Sequence, residues 1–179
     1  AFLQGKALTF MPKFDEREGN SCHIHLSLWD GGKSLFPAGD GHEMSATFRH
    51  YLAGQLACMR EVLPLFAPTV NSYKRLVEGA WAPTRASWGV DNRTTALRVI
   101  PGSAKSTRLE TRVSGSDVNG YLALAAAIAS GLYGIEHKLE LTQPAVVGSG
   151  YLDHSAPRLP STLRDAATLD PSTVQLRNG

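Results

Sequence analysis

Residues 108–112 read Arg-Leu-Glu-Thr-Arg, and this alternation restricts the fold more than any other stretch of the chain. In an extended strand, successive side chains point to opposite faces, so Arg108, Glu110 and Arg112 share one face. The surrounding segment, residues 92–113 (NRTTALRVIPGSAKSTRLETRV), also carries Arg93, Arg98 and Lys105, and Glu110 is its one carboxylate. Arg75 is an upstream companion. Two β-like runs, 96–100 and 108–113, flank a Pro-Gly-Ser turn. Three long charged side chains in line suit either a wet sheet edge or a site for anions.

Charge distribution bears on that choice. Residues 74–112 hold eight basic side chains (Lys74, Arg75, Arg85, Arg93, Arg98, Lys105, Arg108, Arg112) against three acidic ones (Glu78, Asp91, Glu110), a local +5. The whole 179-residue chain carries only +2, so positive charge is concentrated here, as an anionic ligand requires. With 42% hydrophobic and 19% charged residues the composition is that of a globular protein large enough for one core, and one domain is expected. No run approaches the roughly 18–20 apolar residues of a membrane span. The N-terminal AFLQGKALTFMPK has neither a signal-peptide layout nor an initiator Met, so the chain is expected to start inside a longer protein. Cys22 and Cys58 make no disulfide framework, which points to a reducing, cytoplasmic location.

In chain order, residues 7–13 read as a strand ended by Pro12, followed by a polar loop. Residues 22–29 alternate, with Cys22, Ile24, Leu26 and Leu28 on one side and His23, His25, Ser27 and Trp29 on the other. Asp30-Gly31-Gly32 signals a hairpin. A helix is predicted from 43 to about 63, ended by Pro64, then a long irregular region to about Trp88. A second, Ala-rich helix is predicted from 118 to about 139, capped by Ser116 or Asp117. Its small residues Ala125, Ala126, Ala129 and Gly131 suggest close packing. Residues 159–169 suit one short helix and 170–179 a tail.

Several residues carry candidate chemistry. His23 and His25 point the same way with Ser27 beside them, either as the polar face of a half-exposed strand or as ligands for a metal or phosphate. Glu110 between two arginines is either a surface ion-pair ladder or a carboxylate holding Mg²⁺ or Mn²⁺ on phosphates that the arginines grip. Tyr73, Arg75, Trp81 and Trp88 are loop anchors or, as aromatics interleaved with basic residues, a surface for single-stranded nucleic acid. Aromatic ladders and RNA-binding signatures are absent, which argues against nucleic acid. So are Walker, GxGxxG, CxxC and GxSxG motifs.

Taken in order, FMPKF…GNSCHIHLS, TVNSYKRLV, GAWAP, DNRTTALRVI, KSTRLETR and DVNGYLALAAAIASGL resemble the C-terminal part of the glutamine synthetase catalytic domain, over roughly residues 8–165. The resemblance implies an α+β fold, a curved antiparallel sheet backed by helices and incomplete in this chain, with the N-terminal β-grasp domain and upstream metal-binding glutamates absent. It implies His23 and Glu110 as metal ligands, and His25, Ser27, Arg98, Lys105 and Arg108 as ATP contacts. It assigns Arg75, Arg93, Arg112 and Gly19 to glutamate or the transferred phosphate, with Arg75 and Arg93 catalytic. The implied reaction is ATP-dependent: glutamate forms γ-glutamyl phosphate and an amine displaces phosphate, in a ring homo-oligomer. The pattern of charge agrees, since phosphoryl transfer needs metal and arginine clamps rather than a covalent nucleophile.

Two positions of the flap depart from the ammonia-using members, which carry there a glutamate that accepts a proton from ammonium. Here Trp81 stands at that place and Glu78 replaces a proline. Tryptophan accepts no proton but can line a pocket for a larger amine by apolar or cation–π contact. The expected acceptor is therefore an organic amine or polyamine, as in the γ-glutamylpolyamine ligases. The alternatives are an ammonia-using glutamine synthetase with an altered flap and a non-catalytic paralogue of the fold. These 179 residues alone are expected to lack ligase activity.

Overall fold

The structure is a computed structural model that describes residues 1–39 and 43–169. After a 3₁₀ turn at Phe2–Gln4, the chain forms β1 (Ile24–Leu26), β2 (Trp29–Asp30), β3 (Lys33–Ser34), β4 (Pro37–Ala38) and β5 (Glu43–Met44). Helices α1 (Ala46–Cys58), α2 (Leu63–Phe66) and α3 (Val70–Tyr73) follow. Strands β6 (Trp88–Val90), β7 (Leu97–Ile100) and β8 (Arg108–Thr111) come next, then α4 (Gly120–Glu136) and α5 (Leu163–Ala167).

The main sheet has the order β1-β8-β7-β6. Its β1/β8 and β8/β7 pairs are antiparallel, and β6 joins the edge parallel to β7. The fold is α+β, with β8 in the interior of the sheet. The wet-edge alternative for its charged face is thereby excluded.

Alternation explains how β8 is seated. Leu109 is 1% exposed and faces the core, and Thr111 on the same side donates its hydroxyl to Gln55 Oε1 on α1 at 2.9 Å. Gln55 Nε2 in turn donates to the Ala127 carbonyl on α4 at 3.1 Å, so one buried amide ties the sheet to both long helices. A buried polar group keeps its place only if its hydrogen bonds are made, and here they set the height of the strand over the helices. The core is completed by Phe36 stacked on Phe48, ring centroids 4.1 Å apart, with Leu52, Leu63, Leu97 and Val113.

Helices α1 and α4 meet through glycine. A Cβ on Gly54 would stand 2.2 Å from the Ser130 carbonyl oxygen, and one on Gly134 would stand 2.1 Å from that of His50. The packed face of α4 is Ala123, Ala126, Ala127, Ser130, Gly131 and Gly134. Of the small residues predicted to pack, Ala126 and Gly131 do so, whereas Ala125 and Ala129 are exposed. The helical period carries those two past the contact.

Other expectations are corrected by the structure. Residues 7–13 form no strand: no neighbouring strand pairs with them, and Leu8 and Phe10 are largely exposed. The run 22–29 breaks after Leu26, though Ile24 is buried and Leu26 and Leu28 pack on the core as the alternation requires; Cys22 is exposed. The hairpin is present, with Gly31 and Gly32 at φ 51° and 83°, the left-handed pair that a two-residue turn needs. The first helix is shorter than predicted, starting behind the Ser45 cap because Glu43 and Met44 pair with β4. Pro64 opens α2 rather than ending α1, since a proline in the first turn loses no helical bond. The irregular region contains α2 and α3. Asn119, not Ser116 or Asp117, caps α4 by accepting from the Tyr121 and Leu122 amides. Asp117 instead accepts from the Thr69 and Ser72 hydroxyls at 2.6 Å each. The short helix near the C-terminus is α5, capped by Thr162, and the predicted tail lies outside the described residues. Among the described residues no helix is long and apolar enough to cross a membrane.

Candidate functional site

Sheet register assembles the charged face. His25 stands opposite Glu110 across β1/β8, and Arg98 stands opposite Glu110 across β8/β7, so three adjacent strands present His25, Glu110 and Arg98 in one row. Arg112 continues the Glu110 face just beyond β8. Its amide still donates to the Ala96 carbonyl at 2.8 Å, which extends the ladder and holds that orientation.

Glu110 is 3% exposed and is the hub. Its Oε1 accepts from His23 Nδ1 and Arg112 at 3.0 Å each and lies 3.6 Å from His25 Nε2. Its Oε2 accepts from Arg98 at 3.2 Å. Burial works against the carboxylate, but the hydrogen bonds from His23 and Arg112 and their charges outweigh it and hold the pKa down to about 2. The group is ionised at any physiological pH. This is a buried network, not a surface ladder.

His25 titrates below the ordinary imidazole range, chiefly because it is desolvated, with Arg108, His23 and Arg98 adding to the effect against Glu110. Its Nδ1 accepts from Arg108 Nε at 3.3 Å. Ser27 accepts from the Trp29 indole at 2.8 Å, which turns its hydroxyl oxygen toward the hairpin. Lys105 is exposed in the β7–β8 turn and makes no ion pair among the described residues.

Arg75 lies 4% exposed next to the charged row, with one terminal nitrogen donating to the Val113 carbonyl and its Nε unpartnered. Burial first, and then the neighbouring Arg112, pull its pKa down to about 10 against the pull of Asp117, so the guanidinium remains charged at neutral pH. Gly19 packs on it: a Cβ there would stand 2.9 Å from Arg75 Cγ and 2.7 Å from the Pro12 carbonyl oxygen. Only glycine lets that loop approach. The Nε atoms of Arg98 and Arg112 are likewise buried without a partner. A buried donor without a partner is costly, and guanidinium groups are the side chains best suited to grip carboxylate or phosphate.

Arg93 stands apart from this cluster and is exposed. It lines a cavity of about 630 Å³ together with Trp81, Val90, Asp91, Asn92, Thr94, Arg98 and residues 145–148. Asn92 builds the wall: its Nδ2 donates to the Val146 and Gly148 carbonyls at 3.2 and 2.8 Å. The Thr94 hydroxyl accepts from the Gly150 amide at 2.7 Å. Trp81 and Asp91, both in the lining of this cavity, hold left-handed backbone, at φ 54° and 50°. That conformation is strained for a bulky L-residue and is found preferentially at functional sites. Arg112 Nη2 donates to the Trp81 carbonyl at 3.4 Å and links the cavity rim to the Glu110 hub.

The structure thus brings together His23, His25, Arg98, Arg108, Glu110 and Arg112, with Arg75 and Gly19 at one end and Trp81 and Arg93 at the cavity. Sequence reasoning missed Asp91, whose carboxylate pairs with Arg98 at 3.0 Å, and the wall at 145–148. Asp91 was recoverable from its place before Arg93. The wall carries no pattern, because it lies more than fifty residues from the strand it covers. For a divalent ion, an ionised carboxylate and an imidazole nitrogen 3.0 Å away are chemically suited as part of a coordination shell. Among the described residues no group of three or more His, Cys, Asp and Glu is placed to hold a metal. His23 and Glu110 supply two such groups, fewer than a full coordination shell.

Residues 1–174 match the family described as glutamine synthetase, catalytic domain. The chain is 53% identical over 170 residues to the gamma-glutamylethanolamide synthetase GlnA4 of Streptomyces coelicolor, covering 94% of this chain and 36% of that protein. It is 48% identical over 176 residues to type-1 glutamine synthetase 2 of Dictyostelium discoideum, covering 94% and 34%. A solved structure, GmaS in complex with ADP, superposes with a TM-score of 0.78 at 39% identity, covering 88% of this chain and 38% of that one. The chain spans about a third of the length of the curated relatives it matches.

Proposed function

The chain belongs to the glutamine synthetase family through its catalytic domain, and from that premise we propose that the protein is an ATP-dependent carbon–nitrogen ligase joining glutamate to an organic amine. The observation that carries this reading is the row His25–Glu110–Arg98 across three strands, with Arg75 and Arg112 buried beside it.

In the first step an oxygen of the glutamate γ-carboxylate attacks the γ-phosphorus of ATP, and ADP leaves. In the second the amine nitrogen attacks the γ-carbonyl carbon of γ-glutamyl phosphate, the acyl–oxygen bond breaks, and the departing phosphate carries away the proton that the nitrogen loses. Negative charge spreads over the phosphoryl oxygens in the first step, and fixed guanidinium donors stabilise it without reorganising. In our assignment Arg98, Arg108, Lys105, His25 and Ser27 hold the nucleotide. Arg75, Arg112 and the Gly19 loop orient glutamate, and Arg93 reaches the transferred group. His23 and Glu110 would hold a divalent ion, Mg²⁺ or Mn²⁺, which supplies charge neutralisation on the phosphates. A ring homo-oligomer and a cytoplasmic location complete the reading.

Trp81 supports an organic acceptor, since an indole at the cavity rim gives apolar contact and no proton acceptor. Ammonia as acceptor is the second reading, favoured by the likeness to the Dictyostelium protein. Retention of both candidate metal ligands and five nucleotide-contacting candidates argues against a non-catalytic paralogue. The test is ATP- and glutamate-dependent phosphate release by the native protein with ammonium, ethanolamine, isopropylamine, putrescine or spermidine. Release driven by an organic amine is expected; release driven by ammonium alone would show that ammonia is the substrate.

A further inference from the structure

Resting on the assignment of Arg75 and the Gly19 loop to glutamate, we propose that Asp117 is a positioning residue for that site. Through the hydroxyls of Thr69 and Ser72 it holds the cap of α3, and thereby fixes where the Arg75 guanidinium and the Gly19 loop stand.

Arg75 lies just past α3 and is tied at both of its ends to the segment that follows β8. Its guanidinium donates to the Val113 carbonyl, and its amide donates to the Ser72 carbonyl at 3.2 Å. The Ser72 hydroxyl in turn donates to Asp117 Oδ2 at 2.6 Å, as does the Thr69 hydroxyl. Contacts of that length are charge-assisted. A hydroxyl has a single proton to give. With both protons given to Asp117, the lone pairs accept from the backbone: Thr69 Oγ1 from the Ser72 amide at 3.3 Å, and Ser72 Oγ from the Thr69 amide at 3.0 Å. This is the reciprocal capping box that starts α3. One carboxylate oxygen therefore orients both caps. Asp117 can fold back on them because residue 115 is glycine, where a Cβ would stand 2.6 Å from Asp117 Oδ1. The Asp117 charge also favours the charged form of Arg75 against the cost of its burial.

The same helix fixes the loop. Asn71 exchanges two hydrogen bonds with the Lys13 backbone, at 3.0 and 2.8 Å, and the Pro12 carbonyl accepts from the Asn20 amide at 2.7 Å. Gly19, between these anchors, packs on the Arg75 side chain. A helix of four residues has no stability of its own with which to hold such a geometry, so its cap and the carboxylate behind the cap supply it.

The test measures KM for glutamate and for ATP by phosphate release from the native protein, with the acceptor that the amine panel selects. Asp117→Asn keeps the shape and an acceptor oxygen but removes the charge. The glutamate KM is expected to rise by about tenfold and the ATP KM by less than about twofold. Ser72→Ala and Thr69→Val should raise the glutamate KM too, whereas Thr69→Ser, which keeps the donor, should raise it less. The ratio of the two KM values does not depend on the fraction of folded enzyme, so a merely structural role would not move it. If Asp117→Asn does not fold, Ser72→Ala, which removes one of the two bonds, carries the same test. An unchanged glutamate KM, or KM values for glutamate and ATP that rise together, overturns the inference and leaves the ligase reading standing. Absence of glutamate-dependent phosphate release from the wild-type protein overturns both.

Discussion

Arg112 donates to Glu110 Oε1 at 3.0 Å through one terminal nitrogen and to the Trp81 carbonyl at 3.4 Å through the other. A single planar fork thus couples the carboxylate hub of the sheet to the loop that rims the cavity. Lysine offers one point charge and cannot make both contacts in that geometry. Arg112→Lys is expected to lower kcat/KM by about tenfold or more and to blur discrimination among amines, because the Trp81 loop loses its tie. An amine panel on the variant checks this. Unchanged discrimination would mean that the loop is held by other contacts.

Glu110→Gln keeps the side-chain shape and removes the charge that Arg98, Arg112 and His23 share. Phosphate release is expected to fall by about a hundredfold or more, as for loss of a group acting on developing charge. The variant also isolates a pH effect. A carboxyl whose folded pKa is lowered from 4.5 to about 2 contributes stability that is present above pH 4.5 and lost as pH falls toward 2. Denaturant midpoints at pH 5 and pH 3 should therefore converge between wild type and variant at the lower pH. A constant gap would place the Glu110 contribution outside its ionisation.

Trp81→Glu puts a carboxylate at the flap position where the resemblance implies one in the ammonia-using members. Ammonium-driven release should rise relative to ethanolamine-driven release by about tenfold, since a general base contributes on that scale or above. Competition between the two acceptors, read as the ratio of glutamine to γ-glutamylethanolamide formed, measures it directly. An unchanged ratio would remove Trp81 from acceptor choice.

Gly54→Ala tests the helix pair that backs the sheet. The new methyl would stand 2.2 Å from the Ser130 carbonyl oxygen and 2.6 Å from the Gly134 amide nitrogen, both rigid backbone atoms. The helices must separate, which overpacking data place at about 1–3 kcal/mol, despite the better helix propensity of alanine. A lower denaturation midpoint is expected. Because Gln55 follows Gly54 and bonds both Thr111 and Ala127, activity should fall with it.

The alternation in Arg108-Leu109-Glu110-Thr111-Arg112 was enough to put three charges on one face, because strand geometry leaves no other option. The hairpin at Gly31 and Gly32, the two long helices and the family were legible for similar local reasons: turn chemistry, helical period and motif order. Boundaries were less so. Glu43 and Met44 left the helix because a strand partner was available, and residues 7–13 stayed out of the sheet because none was. Pairing is a property of two segments, and the sequence of one does not contain it.

What the sequence by itself determined is therefore the fold class, the charged face of β8 and the kind of ligand that face suits. Only the tertiary structure decided that β8 lies inside the sheet, which turns Glu110 from a surface ion into a buried hub ionised at physiological pH. It also decided that residues 145–148 fold back over Val90 and Asp91 to make a cavity with Trp81. Local pattern specifies which way a side chain points. What it meets there depends on contacts between distant segments, and in this protein those contacts supply both the low pKa at the hub and the walls of the cavity.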